Sequence, residues 1–318
     1  MSAPLLGIHH VSAIASDPQA NVDFYTGTLG LRLVKLTVNF DDPGSYHLYY
    51  GDASGRPGSL VTFFVWPGSH RGRQGPPQVT STAFSIPRGS MESWSHRLGE
   101  AGIEFARSTP YPGEESLSFA DPDGLALELV EPAADDPRTA VGGGPVPLAH
   151  AIRGIHGITM SEEGYEATAA LLGGPLGFRA AAAHGSRFRY ECGDGGPGAI
   201  VDVLCMPAGR HGSLGAGVVH HVAWRAPDEA SQREWRALLV KDGFNVSPVM
   251  ERQYFRSIYF REPGGVLFEI ATDSPGFAID EEPTALGTAL RLPPWLEALR
   301  PRIEKMLPPL RLPPRYVS

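Results

Sequence analysis

Two histidine doublets occupy look-alike segments, Ile8-His9-His10-Val11 and Val219-His220-His221-Val222, and a glutamate follows in Gly265-Val266-Leu267-Phe268-Glu269-Ile270. One imidazole from each doublet plus a carboxylate is the donor set of the facial triad. That arrangement grips a divalent metal on one side and leaves positions open for substrate and oxygen. The same donors suit Fe(II), Mn(II), Zn(II) or Ni(II), and donor type alone does not choose among them. A single histidine near a strand start is ordinarily a surface or satisfied core residue. Matched doublets with a glutamate form a stronger pattern, provided that opposite ends of the chain meet.

The elements that would position these residues repeat. Gly7-Ile8-His9-His10-Val11 returns as Gly154-Ile155-His156-Gly157-Ile158, and Leu29-Gly30-Leu31 returns as Leu176-Gly177-Phe178. Ala101-Gly102-Ile103 and Asp242-Gly243-Phe244 have the same form, a glycine ending a helix before an apolar residue that folds back. Asp17-Pro18 and Asp228 read as helix starts, and Met91, Trp94 and Leu98 share one helical face. Turns at Pro57-Gly58, Pro122-Asp123-Gly124, Pro197-Gly198 and Pro263-Gly264-Gly265 lead into alternating strands at 59–65, 125–130, 199–204 and 266–271. The fold class is therefore α+β, with four βαβββ modules in two similar domains over residues 1–140 and 148–280. The polar, Gly/Pro-rich stretch Asp135 to Pro147 marks the boundary, and 281–318 is a proline-rich tail expected to wrap the surface.

Bulk composition narrows the class. The 318 residues are 42% hydrophobic and 19% charged, enough to bury a sizeable core. The 38 glycines and 30 prolines suit short strands and tight turns rather than a helix bundle. A formal charge of -8 argues against nucleic acid as a partner. No apolar run has membrane-spanning length and Met1-Ser2-Ala3-Pro4 has no signal-peptide character, so no membrane partner is expected. Cys192 and Cys205 lack zinc-type spacing, and a reduced cytoplasmic enzyme is the simpler reading. Assembly into a homo-oligomer is left open.

Through Leu6-Gly7-Ile8-His9-His10, Tyr46-His47-Leu48-Tyr49-Tyr50, His220-His221 and Arg261-Glu262-Pro263-Gly264-Gly265-Val266-Leu267-Phe268-Glu269, the chain resembles the vicinal oxygen chelate superfamily over nearly its whole length. Within that superfamily it looks most like the ring-cleaving dioxygenases that act on hydroquinones. The resemblance implies modules paired into half-barrel cups around a metal, with Fe(II) as cofactor, O2 as co-substrate and a small aromatic substrate.

Aligning the modules tests which cup is complete. The first-strand positions are His10, Ser81, Gly157 and His221, and the last-strand positions are Phe63, Glu128, Val203 and Glu269. Only the first module paired with the fourth collects His10, His221 and Glu269, as the resemblance also implies; the second-third cup is expected to be metal-free, with Glu128 structural. Strand alternation forbids both histidines of a doublet from entering an ideal cup. The resemblance assigns ligation to the second of each pair, and places His9 and His220 around the pocket in supporting or substrate-contacting roles. By the same resemblance Arg252 and Tyr259 face the pocket, to steady a phenolate and to hydrogen-bond substrate or oxygen. Ser12, two residues from His10, shares its strand face and reaches the pocket as a substrate-binding group. Packing is the expected role of His47. The His70-Arg71-Gly72-Arg73 and Arg210-His211-Gly212 loops read as solvated turns, while Trp224 and Phe268 read as either pocket wall or core. Rival functions are a glyoxalase-like isomerase, a catechol extradiol dioxygenase and a non-catalytic drug-binding protein. Phe63, which is not acidic, and Gly157, which is not histidine, count against the first two.

Overall fold

The computed structural model describes residues 4–140 and 144–313. Module 1 comprises β1 (Ile8–Ala15), α1 (Pro18–Val22, continued by a π-helical turn, Asp23–Thr28), β2 (Arg32–Val38), β3 (Tyr46–Gly51) and β4 (Leu60–Val65). Module 2 follows as β5 (Gln78–Ser85), α2 (Met91–Glu100), β6 (Phe105–Ser108), β7 (Glu115–Ala120) and β8 (Ala126–Glu131). Module 3 is β9 (Gly154–Glu162), α3 (Glu166–Gly173), β10 (Arg179–His184), β11 (Arg187–Glu191) and β12 (Ile200–Cys205). Module 4 is β13 (Val219–Ala226), α4 (Glu229–Lys241), β14 (Met250–Glu251), β15 (Phe255–Arg261) and β16 (Leu267–Pro275).

Two curled eight-stranded sheets form the half-barrels, ordered β14-β15-β16-β13-β1-β4-β3-β2 and β10-β11-β12-β9-β5-β8-β7-β6. Module 1 thus shares a sheet with module 4, and module 2 with module 3. Each module's first strand lies parallel to its last, and the centre of each sheet is an antiparallel pair of first strands, β1–β13 or β5–β9. The opening and closing quarters of the chain meet edge to edge.

Local chemistry explains the helix ends. Asp17 Oδ1 accepts from the amides of Gln19 and Ala20, and Asp228 Oδ1 accepts from Ser231, satisfying donors that the first helical turn leaves open. The start of α2 is capped from outside, since Glu131 Oε1 of β8 accepts from Ser90 N (2.6 Å) and Met91 N (2.8 Å). Gly30, Gly102, Gly177 and Gly243 end the four helical segments with φ between +68° and +90°, a conformation that side chains disfavour. Met91, Trp94 and Leu98 face the core, as their spacing predicts. Trp224 and Phe268 are fully buried and pack edge to face, so they are core rather than pocket wall. Burying such a ring contributes about 2–3 kcal/mol.

The tail lies along β2. Leu292, Leu296 and Ile303 pack on Val38, and Arg291 N donates to Leu36 O at 2.9 Å. Lys35, wholly buried, donates to Asp280 Oδ1 at 2.6 Å and to Glu281. The loops read as solvated turns expose His70, Arg71, Arg210 and His211, and they also pair with each other: Gly72 N donates to Ala216 O and Ser213 N to Arg73 O, both at 2.8 Å. Their side chains meet water while these backbone donors find protein partners.

A buried acid pair gives a stability prediction. Burial, then the charges of Glu262 and Glu163, push the Glu162 carboxyl up to about 8. A folded-state pKa above the unfolded one means stability that is complete below the unfolded pKa and is lost as pH rises through 8. Urea unfolding of Glu162→Gln should show a gain of roughly 2–4 kcal/mol over wild type at pH above about 8.5, and near parity at about pH 5.

Candidate metal centre

Three adjacent strands build the centre. Ala223 of β13 lies opposite His10 on one side and opposite Glu269 on the other. Its small side chain leaves space between the two, while His221, two residues away, projects from the same face. His10 Nε2 and His221 Nε2 are 3.3 Å apart, and Glu269 Oε2 stands 3.4 Å from the first and 2.9 Å from the second. All three side chains are buried.

The surrounding hydrogen bonds leave these inward atoms free to coordinate. Glu269 Oε1 accepts from Ser257 Oγ at 2.5 Å, whereas the buried Oε2 has no hydrogen-bond partner among the described residues. His221 is close to Oε2 without the alignment a hydrogen bond needs. Burial alone would raise the pKa of Glu269, but the His10 and His221 rings reverse this and hold it well below the carboxylate range. Burial lowers the pKa of His221, with Glu269 partly opposing.

The tautomers follow from the first doublet outward. The Thr272 carbonyl can only accept, so His9 Nε2, 3.1 Å away, carries the proton. Burial, reinforced by His10, holds the pKa of His9 down to about 3, so its Nδ1 is an acceptor. His10 Nδ1, 2.9 Å from His9 Nδ1, therefore donates, and the lone pair of His10 Nε2 points inward. His220 Nδ1 stands 2.8 Å from His221 Nδ1, and burial, then His221, lowers the His220 pKa to about 3; the tautomer in which His221 Nδ1 donates would turn its Nε2 lone pair inward as well. Two imidazole nitrogens and one carboxylate oxygen converge within 4.8 Å of one another, a donor set that fits a divalent metal.

Alternation is broken where it has to be. The β1–β13 register slips between Ile8 and His10 and again between Ser12 and Ala13, passing over His9 and His220. A bulge re-aims a side chain. Here each bulged histidine lies beside its neighbour, ring edge to ring face at 5.1 Å, outside the pocket lining. Their ring contacts are with His10 and His221 and with the backs of the wall residues Phe255 and Phe64. His9→Ala should weaken metal affinity by about 10–100-fold by releasing the His10 tautomer, read by chelator competition.

A small pocket opens on the three inward atoms. Ser12, Arg252 and Tyr259 line it, as the sequence suggested. Arg252 Nε lies 3.2 Å from the Tyr259 hydroxyl, and Arg252 Nη1 pairs with Asp41 at 3.0 Å across the mouth. Gln253, in the turn that presents Arg252, has φ +65°, a strained conformation for a non-glycine residue. Burial, then Glu269, raises the pKa of Tyr259, which keeps its proton. Sequence reasoning passed over Asn39, Phe40, Asp41, Tyr49, Phe64 and Phe255 in the wall. His47 packs against Tyr49 and Phe64, as expected, yet also faces the pocket. The period-two pair His47 and Tyr49 was the available signal.

In the second sheet Ser81, Gly157 and Glu128 take the corresponding places. Ser81 and Ser116 donate to Glu128, giving both of its oxygens protein partners. A Cβ at Gly157 would meet Ile200 Cβ and O at 2.9 Å, so the backbone there excludes a side chain.

Residues 7–129 and 154–270 match the Glyoxalase/Bleomycin resistance protein/Dioxygenase superfamily. The chain belongs to this superfamily. MhqO of Bacillus subtilis, named as a ring-cleaving dioxygenase, is 44% identical over 98% of this chain and 99% of its own. The chlorohydroquinone/hydroquinone 1,2-dioxygenase of Sphingobium indicum is 33% identical over 92% of this chain and 93% of its own. A Bacillus subtilis crystal structure described as a dioxygenase superposes with a TM-score of 0.92 at 42% identity, covering 98% of this chain and 99% of that one. Glyoxalase I from Zea mays superposes with a TM-score of 0.62 at 14% identity over 84% of this chain, a likeness of superfamily fold alone.

Proposed function

We propose that this protein is a non-haem Fe(II) dioxygenase that uses O2 to open a dihydroxylated aromatic ring, a hydroquinone in particular. The observation that carries this is the convergence of His10, His221 and Glu269 from modules 1 and 4 at the foot of a pocket rimmed by Arg252 and Tyr259. The names of the relatives support the substrate class. A ferrous ion held by those three side chains would supply Lewis acidity and one-electron chemistry toward a phenolic oxygen and dioxygen.

The chain's own residues do the rest. Arg252 presents a fixed cation to a phenolate, strengthened by the partial exclusion of water. Tyr259, protonated, donates a hydrogen bond to substrate or oxygen. Phe64 and Phe255 give the ring apolar surface. Where a glyoxalase-type site would place a second carboxylate, Phe63 is buried against Tyr25. Cys192 and Cys205 are free thiols, in keeping with a reducing, cytoplasmic setting.

Oxygen uptake by protein loaded with Fe(II), Mn(II), Zn(II) or Ni(II) tests the proposal. Uptake is expected with Fe(II) and para-diols, and not with ortho-diols. Uptake with neither class of diol would overturn it, and preference for ortho-diols would overturn the hydroquinone assignment.

A further inference from the structure

One wall of the pocket holds a hydrogen-bonded chain that the assigned ligands and rim residues do not use. Ser12 Oγ lies 2.7 Å from Thr62 Oγ1, Thr62 Oγ1 lies 3.0 Å from His47 Nε2, and His47 Nδ1 lies 3.0 Å from the Tyr49 hydroxyl. Thr62 is opposite Ser12 in one strand pairing and opposite Tyr49 in the other, so the row crosses β1, β4 and β3 at one level. Thr62 is fully buried, while Ser12, His47 and Tyr49 all line the pocket. Among the described residues, neither Ser12 Oγ nor the Tyr49 hydroxyl has another hydrogen-bond partner.

Counting protons determines what this row can offer. Burial, reinforced by His10 and His221, holds the pKa of His47 well below its usual value, so its ring is neutral. Three hydroxyls and a neutral imidazole have one exchangeable proton each. The three internal bonds use all but one of them. If Ser12 donates into the pocket, then Thr62 donates to Ser12, His47 to Thr62 and Tyr49 to His47, and Tyr49 shows the pocket only lone pairs. If Tyr49 donates into the pocket, every bond reverses and Ser12 becomes the acceptor. The two ends cannot both donate.

We propose that this row reads the ligand's two oxygen substituents as a pair: an acceptor at the Ser12 end obliges a hydrogen-bond donor at the Tyr49 end. The pocket thereby selects a ring with one ionised and one protonated hydroxyl over a ring whose second substituent only accepts. Ser12 and Tyr49 touch the ligand. Thr62 and His47 are positioning residues that couple them. The inference rests on the function proposed above, because it takes a diol as the occupant.

The test is anaerobic binding to the full-length Fe(II)-loaded protein, with no turnover. Hydroquinone is compared with 4-fluorophenol, which has nearly the same shape but a second substituent that cannot donate. Wild type should prefer the diol by at least about tenfold, consistent with leaving a buried acceptor unpaired. Thr62→Val breaks the row without touching the pocket, and the preference should fall to within about threefold; Thr62→Ser should restore it. Tyr49→Phe removes the far end, should also lose the preference, and decides the matter if Thr62→Val does not fold. An undiminished preference in Thr62→Val or Tyr49→Phe, or no preference in wild type, overturns the inference and leaves the proposed function intact. Failure of wild type to bind either phenol overturns both.

Discussion

Glu269→Gln should lower metal affinity by at least about a hundredfold and abolish oxygen uptake, and the metal-free variant should melt below wild type near neutral pH. The affinity loss exceeds the 10–100-fold typical of groups behind a ligand, because the anionic donor itself is replaced by a neutral amide. The loss of stability follows from the same surroundings. In the metal-free protein the His10 and His221 rings outweigh burial and hold the Glu269 carboxyl well below its usual range, and Ser257 donates to Oε1. A carboxylate depressed in the folded state contributes stability above the unfolded pKa, and the neutral amide forfeits it. Metal titration and differential scanning calorimetry, run on the same preparation, read the two effects. A variant that binds metal as wild type does would remove Glu269 from the centre. An unchanged or higher melting temperature would mean that the two rings do not stabilise the carboxylate.

Arg252→Ala and Tyr259→Phe should each reduce turnover by about 10²–10³-fold with metal content unchanged. The two side chains act through one contact, Arg252 Nε to the Tyr259 hydroxyl at 3.2 Å, so their effects should be less than additive in the double variant. The losses should differ in kind. Arg252 meets charge already present on a bound phenolate, so its removal should raise KM as well as lower kcat. Tyr259, whose proton is retained because burial and then Glu269 raise its pKa, should show mainly in kcat. Steady-state kinetics with iron quantified in each sample measures both. Unchanged turnover in either variant would exclude that residue from the mechanism.

Much of this was legible in the sequence because it was written in repeats. The glycine caps at 30, 102, 177 and 243 and the turn before each last strand mark four equivalent modules, and alignment of those modules selects His10, His221 and Glu269. What stayed hidden depends on the third dimension. Alternation placed His9 and His10 on opposite faces, and nothing local announces that the β1–β13 register slips at His9 and at His220. The cap of α2 was equally invisible, since Glu131 reaches it from another strand. Asn39, Phe40 and Asp41 reach the pocket from the loop after β2, and their types had no catalytic pattern to stand out by. Tyr49 was passed over as one aromatic residue in an aromatic-rich strand, although its spacing from His47 put both on one side.

The β1–β13 seam also constrains biosynthesis. As the chain leaves the ribosome, β1 can pair with β4 at once, but its other side has no neighbour until β13 emerges, the two histidines being 211 residues apart. For most of translation the nascent polypeptide therefore carries an open strand edge, the kind of surface that recruits aggregation or a chaperone. Assembly of the candidate centre must wait for nearly finished synthesis, so a prematurely terminated product lacking module 4 would have one of its histidines and no means of completing it.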